Sequence, residues 1–158
     1  MLAPGDKAPD FILHDQADAR IRLSAYHGKP VVLFFYPKDN SRGCTRQAKS
    51  MRDSYAEFRQ LGAAILGISR DDAETHTAFR KEHGLQYPLL TDPGGSIAAE
   101  YGVPRTLGLI PGRATFVIDS SGVIRMAHNS MLDTESHVTK ALEVVRELQG
   151  GAQEGGGR

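Results

Sequence analysis

Short unbroken apolar runs alternate along the chain with longer stretches in which apolar residues recur every third or fourth position. The first kind reads as buried strand, the second as amphipathic helix. Residues 31–36 are six apolar residues in succession, which implies a strand covered on both faces. Residues 63–69 form a second such strand. Between them Cys44, Ala48, Met51, Tyr55 and Phe58 share one face of a helix running from 44 to about 61, with Gly62 at its end. A second helix is expected over 72–83, with Ser69 and Asp72 as a capping pair and Gly84 as its stop. Residues 85–91 are extended, Asp92-Pro93-Gly94-Gly95 is a turn, 96–101 a short helix and 102–112 a Gly/Pro-rich loop. Strands 114–119 and 123–126 make a hairpin through Ser120-Ser121-Gly122. Asp133 caps a last helix with the stripe Val138, Ala141, Leu142, Val145 and Leu148. At the other end of the chain, 8–13 and 21–23 read as a strand pair around a polar turn.

Strand–helix–strand connections imply parallel pairing with right-handed crossovers, and the closing hairpin adds an antiparallel edge. The expected fold class is α/β: a thioredoxin-like three-layer α/β/α sandwich with an N-terminal β-hairpin extension. Residues 1–149 make one domain, and the Gly-rich stretch 150–158 is expected to be a flexible tail.

Charge removes whole classes of partner from consideration. The chain of 158 residues carries 19 basic and 19 acidic side chains, a balance that points to neither nucleic acid nor an anionic membrane surface. Its apolar runs are far shorter than the roughly 20 residues a membrane helix needs. Met1-Leu2-Ala3-Pro4-Gly5-Asp6 lacks the basic and apolar regions of a signal peptide. There is a single cysteine, so no disulfide forms within the chain, and a reducing, cytoplasmic setting is expected. The apolar stripes are all used by the core, which favours a monomer over a dimer.

That one cysteine, Cys44, stands where a buried strand gives way through 37–43 to the first turn of a helix. First-turn N–H groups have no internal partners and the helix dipole is positive there, so a thiolate is favoured over a thiol. Bringing a cysteine pKa from about 8.5 to about 6 takes about 3.4 kcal/mol, whereas a helix N-terminus supplies at most ~2 kcal/mol. The remainder calls for a cation held close, and an arginine suits a partly buried position. Arg42 and Arg46 are local. Arg113 lies just before the buried strand 114–119, at a strand end, where α/β sheets gather their sites. The alternative for the residue itself is that of any lone cysteine, a small apolar filler.

Pro37-x-x-x-Ser41-x-x-Cys44 resembles the Pro-x-x-x-(Thr/Ser)-x-x-Cys signature of the peroxiredoxins. The wider string from Phe34 to Ala48, Gly5-Asp6-Lys7-Ala8-Pro9-Asp10-Phe11 and Arg113-Ala114-Thr115-Phe116-Val117-Ile118-Asp119 are similar to the bacterioferritin comigratory protein (peroxiredoxin Q) subfamily, over about residues 3–149. The resemblance implies a thiol-dependent peroxidase that reduces hydrogen peroxide and organic hydroperoxides, with Cys44 passing through a sulfenic acid and no metal or cofactor needed. It implies that Ser41 hydrogen-bonds the sulfur and the peroxide, that Arg113 holds the thiolate and polarises the peroxide, and that Pro37 shields the pocket. The main-chain N–H groups of Gly43 and Cys44 would stabilise charge developing on oxygen. Lys38 and Asp39 are expected to be solvated.

Many members of that subfamily carry a second cysteine five residues after the first; here the position is Lys49. The sulfenic acid must therefore be cleared by an external thiol: thioredoxin, glutaredoxin or a low-molecular-weight thiol. Arg42 stands where relatives often have Pro and sets a further cation beside the pocket. The histidines (His14, His27, His76, His83, His128 and His137) show no zinc-type spacing and are expected at the surface or in caps. A thioredoxin-type oxidoreductase would need a cysteine at 47, which is Gln. The remaining alternative is a non-enzymatic redox-sensing thiol module on the same fold.

Overall fold

The computed structural model of the protein describes residues 1–105 and 112–156, with side chains as far as Gly150. Its elements are β1 (Ile12–His14), β2 (Arg20–Arg22), β3 (Val31–Phe35), α1 (Arg42–Gln60), β4 (Ala64–Ser69), α2 (Ala73–His83), β5 (Leu89–Thr91), α3 (Ser96–Glu100), β6 (Ala114–Ile118), β7 (Ile124–Asn129) and α4 (Thr134–Gly156). The strands form one mixed sheet in the order β2-β1-β5-β4-β3-β6-β7. β3, β4 and β5 run parallel. β6 joins β3 antiparallel, β7 joins β6, and the β1–β2 pair closes the far edge against β5.

This topology follows from the chain order. Moving from β3 to β4 to β5 in one direction with right-handed crossovers puts α1 and α2 on the same face. α4 returns to that face and packs on α1. Val32 and Phe34 of β3 point there, into a core with Cys44, Ala48, Met51 and Phe58 of α1, Phe79 of α2, and Val138, Ala141, Leu142 and Val145 of α4. Val31, Leu33 and Phe35 point the other way, toward Phe11, Leu13, Leu23, Tyr101 and the partly buried Ile97 and Ala98 of α3. β3 is therefore buried on both faces, as its unbroken apolar run predicts. The thioredoxin-like three-layer arrangement is present, with unequal outer layers. One holds three helices; the other holds the short α3 together with the N-terminal segment.

Several local expectations shift. β1 is shorter than the expected 8–13, because only Ile12–His14 finds a pairing partner in β2. α1 begins at Arg42, so Cys44 is its third residue. Asp72 alone caps α2, accepting from the Thr75 N–H at 2.8 Å. Ser69 ends β4 and donates to Asp71 Oδ2 at 2.6 Å instead, so it is no part of a capping pair. α4 is assigned as far as Gly156, across the expected division at 149/150. Most of the expected 102–112 loop and the last two tail residues lie outside the described residues.

Gly67 shows how tightly the sheet centre is filled. A Cβ there would stand 2.8 Å from the Phe34 ring and 2.9 Å from Leu89 Cδ2. Gly67→Ala is expected to destabilise the fold by about 1–3 kcal/mol, read as a lowered urea midpoint with unchanged slope.

Candidate active site

The site is built where β3 ends. Pairing continues one residue past the strand through the Tyr36 N–H to Ile68 O at 3.0 Å, and Pro37, lacking an N–H, stops it. Asn40 takes a left-handed conformation with φ 67°, which asparagine tolerates better than most residues, and turns the chain toward α1. Ser41 occupies the N-cap with extended backbone, and its carbonyl accepts from the Thr45 N–H at 2.8 Å. Its hydroxyl does not close the cap; it donates to Lys38 O at 2.9 Å. The first-turn N–H groups of Gly43 and Cys44 are thus left without a side-chain cap. Cys44 itself is buried, 2% exposed.

Arg113 meets this turn from β6. The register that pairs Phe35 with Ala114 sets the residue before β6 beside the residue after β3. The Arg113 guanidinium is buried and holds three partners. Nη2 donates to Cys44 Sγ at 3.3 Å, Nε to Met131 O at 3.2 Å, and Nη1 to Gln47 Oε1. Fixed on both sides, the guanidinium presents a permanent charge to the sulfur with no freedom to swing away. Gly43 makes room for it: a Cβ at 43 would lie 3.0 Å from Arg113 Nη2. A buried sulfur beside a fixed cation, with first-turn amides that no side chain caps, forms a site suited to nucleophilic attack by sulfur on a polar, electrophilic atom.

Of the residues singled out from sequence, Cys44, Gly43 and Arg113 come together. Pro37 is half-buried at the head of the loop and Ser41 sits one helical turn from Cys44, its hydroxyl turned to Lys38 O rather than bonded to the sulfur. Arg42, Arg46 and Lys49 are exposed, so neither local arginine is the buried cation. Gln47 was missed as a site residue. It is fully buried, one turn after Cys44, and its Nε2 has no partner among the described residues. A polar residue within three positions of the cysteine, on the core side of an amphipathic helix, was the signal. Asp39 is not solvated but buried against Tyr36 and His76. His76 and His137 are likewise core residues, not surface ones. Among the described residues no group of three or more His, Cys, Asp or Glu is placed to hold a metal ion.

His137 of α4 supports the arginine from behind. Its Nε2 donates to Ser130 O at 2.7 Å, so Nδ1 is left to accept from the Thr115 hydroxyl at 2.8 Å. Ser130 precedes Met131, whose carbonyl holds Arg113 Nε. Burial pushes His137 down from 6.5 to about 4; the hydrogen bond with Ser130 works against this, and His128 and Arg113 add to it.

Comparison with known proteins gives a consistent set. Residues 4–127 match the AhpC/TSA family. The chloroplastic peroxiredoxin Q of Sedum lineare is 42% identical over 149 residues, covering 94% of this chain and 80% of that protein. The structure of the peroxidoxin BcpB from Mycobacterium tuberculosis superposes with a TM-score of 0.86 at 37% identity, over 94% of this chain and 99% of that one. The bacterioferritin comigratory protein of Xanthomonas campestris, a structure described for its alkyl peroxide reduction activity, aligns with a TM-score of 0.78 at 25% identity, over 91% and 96% of the two chains.

Gly43→Ala is expected to push the guanidinium away from the sulfur and slow oxidation of Cys44 by about tenfold. Thermal stability is expected to fall, because displacing the braced guanidinium strains its buried hydrogen bonds by more than the up to ~1 kcal/mol that Ala gains as the better helix former. A second expectation concerns pH. Unfolded His137 binds a proton near 6.5, the folded residue only near 4, so the unfolded state holds more protons between these values. Stability contributed by neutral His137 is complete above about 6.5 and is lost as pH falls through about 4; urea midpoints measured over this range should fall less steeply in His137→Asn.

Proposed function

The chain belongs to the AhpC/TSA family, and on that premise we propose that it is a peroxiredoxin, a thiol peroxidase in which Cys44 is the peroxidatic nucleophile and an external thiol completes the cycle. The observation that carries this reading is the 3.3 Å contact between the Arg113 guanidinium and Cys44 Sγ. In the first step the Cys44 thiolate attacks one oxygen of a hydroperoxide, ROOH. The S–O bond forms as the O–O bond breaks, the hydroperoxide's own proton passes to the departing oxygen, which leaves as ROH, and the Cys44 sulfenate takes a proton from water to become the sulfenic acid. Sulfur supplies the electron pair, so the chemistry needs no metal or flavin. Arg113 holds the anion and polarises the peroxide. The N–H groups of Gly43 and Cys44 receive the charge growing on the leaving oxygen. Ser41, whose hydroxyl can rotate from Lys38 O, binds the peroxide, and Pro37 limits access of water.

In the second half an external thiol attacks the sulfenic sulfur, releasing water and leaving a mixed disulfide. A further thiol then frees Cys44 and carries away the disulfide. The chain's single cysteine makes this external supply necessary. Thioredoxin, glutaredoxin with a small thiol, or a low-molecular-weight thiol alone all fit, and a reducing compartment such as the cytoplasm provides them. Hydrogen peroxide and organic hydroperoxides are both proposed substrates. Among the described residues the exposed large apolar side chains are Met1, Ile12 and Leu132, scattered rather than joined in a face, which favours a monomer.

Intact mass after one equivalent of hydrogen peroxide, with a sulfenic-acid trap present, tests the reading. A trapped adduct is expected in the wild type within seconds and none in Cys44→Ser; absence of adduct from both sinks the proposal. Arg113→Ala is expected to lower the rate of sulfenic acid formation about 10²–10³-fold, as for removal of a main electrostatic donor. Because Arg113 is buried and partners Gln47 and Met131 O, the same change should also lower stability, by about 1–3 kcal/mol. Melting curves run alongside separate the two effects.

A further inference from the structure

The loop between β3 and α1 is tied down by a buried polar cluster that the peroxide chemistry does not use. Asp39, in the middle of the loop, accepts from the Tyr36 hydroxyl at 2.5 Å through Oδ1, and its Oδ2 shares a hydrogen bond with His76 Nδ1 at 2.6 Å. His76 Nε2 donates to Leu90 O of β5 at 3.2 Å. The Asp39 N–H donates to Asp71 Oδ2 at 2.8 Å, in the turn before α2. Tyr36, Asp39 and His76 are 4%, 1% and 0% exposed. Such burial is costly for ionisable groups unless each finds its partner, and here each does.

The capacity of these groups is spent within the cluster. Both His76 nitrogens and both Asp39 carboxyl oxygens are engaged by protein partners, so none is left to bind a ligand. What the cluster can do is hold. It joins the end of β3, α2 and β5 to the one loop whose far end is the N-cap Ser41, through the left-handed Asn40. Resting on the peroxidase reading, we propose that the Asp39–His76 pair with Tyr36 is a latch that keeps the 36–41 loop seated, and through it keeps the first turn of α1 wound with Cys44 against Arg113. These are positioning residues, acting through the backbone between Asp39 and Cys44. Release of the latch frees the loop, frays the first turn, uncovers the buried sulfur and separates it from the guanidinium.

Two rates measured on the same reduced protein test this: sulfenic acid formation with hydrogen peroxide, and alkylation by iodoacetamide. The chain has one cysteine, so both report on Cys44 alone. In Asp39→Asn and His76→Asn the peroxide rate is expected to fall about 10–100-fold, because the reacting atoms lose alignment. The alkylation rate is expected to rise about threefold or more, because local opening exposes the sulfur. Tyr36→Phe, which keeps the ring and loses one hydrogen bond, should shift both rates in the same opposed directions by about threefold. Because a populated unfolded state would also raise alkylation and lower the peroxide rate, only variants whose melting curves show them fully folded at the assay temperature are compared. The latch is overturned if folded Tyr36→Phe and Asp39→Asn keep both rates within about twofold of wild type, or if both rates fall together. Should His76→Asn not fold, the other two variants decide. A wild type inert to peroxide overturns the peroxidase reading alone, and the alkylation rates then still decide whether the latch covers Cys44.

Discussion

A cysteine sulfur buried at a helix start is of little chemical use unless something nearby carries a compensating charge, and everything around Cys44 serves to bring one arginine to it. The 3.3 Å contact from Arg113 Nη2 joins residues 69 positions apart in the chain. Local structure could not make that contact. It depends on β6 lying antiparallel to β3 in the register that pairs Phe35 with Ala114, which puts Arg113 and the β3–α1 loop at the same end of the sheet. A helix N-terminus alone supplies up to ~2 kcal/mol toward an anion, and the guanidinium adds a permanent charge fixed beside the sulfur.

Holding the arginine is itself a structural task. Its fork is braced by Gln47 on α1 and by Met131 O, in the turn that His137 anchors through Ser130 O. His137 stays neutral there because burial disfavours its charged form, which keeps a second cation away from Arg113. Gly43 completes the fit by leaving out the Cβ that would press on Nη2. The other side of the site is the loop end, where Asp39, Tyr36 and His76 hold the chain that delivers Ser41. The sulfur thus lies between two braces, one on α4 and β6, the other on α2 and β5. A peroxidase of this design needs rigid placement, because aligning sulfur, peroxide and charge replaces the reorganisation that solvent would otherwise require.

Strand and helix patterning were legible in the residues. The unbroken run of β3 and the stripe from Cys44 to Phe58 are local signals, since each depends on a spacing of two or of three to four along one element. The motif around Cys44 and the arginine before β6 were legible too, because one is contiguous and the other stands at the end of an obvious strand. Asp39, His76, Gln47 and His137 were not. Each is a polar residue whose burial depends on a partner in another element, as Asp39 does on His76, 37 positions away. The Ser69–Asp72 capping pair failed for a related reason: Ser69 closes a strand and serves Asp71, so only Asp72 met the first turn of α2.

Taken by itself, the sequence determined the elements, their order, the parallel core implied by strand–helix–strand connections, and the one sulfur available for chemistry. These follow from short-range periodicity and from the identity of residues at element ends. The tertiary structure alone decided which charges are buried, which donors are left unpaired and which way each side chain turns. It showed that Arg113 and not Arg42 or Arg46 faces the sulfur, that the Ser41 hydroxyl bonds Lys38 O, and that an aspartate expected in water is locked inside. Burial and hydrogen-bond partnership are properties of surfaces brought together from distant parts of the chain, and no local pattern encodes which surfaces will meet.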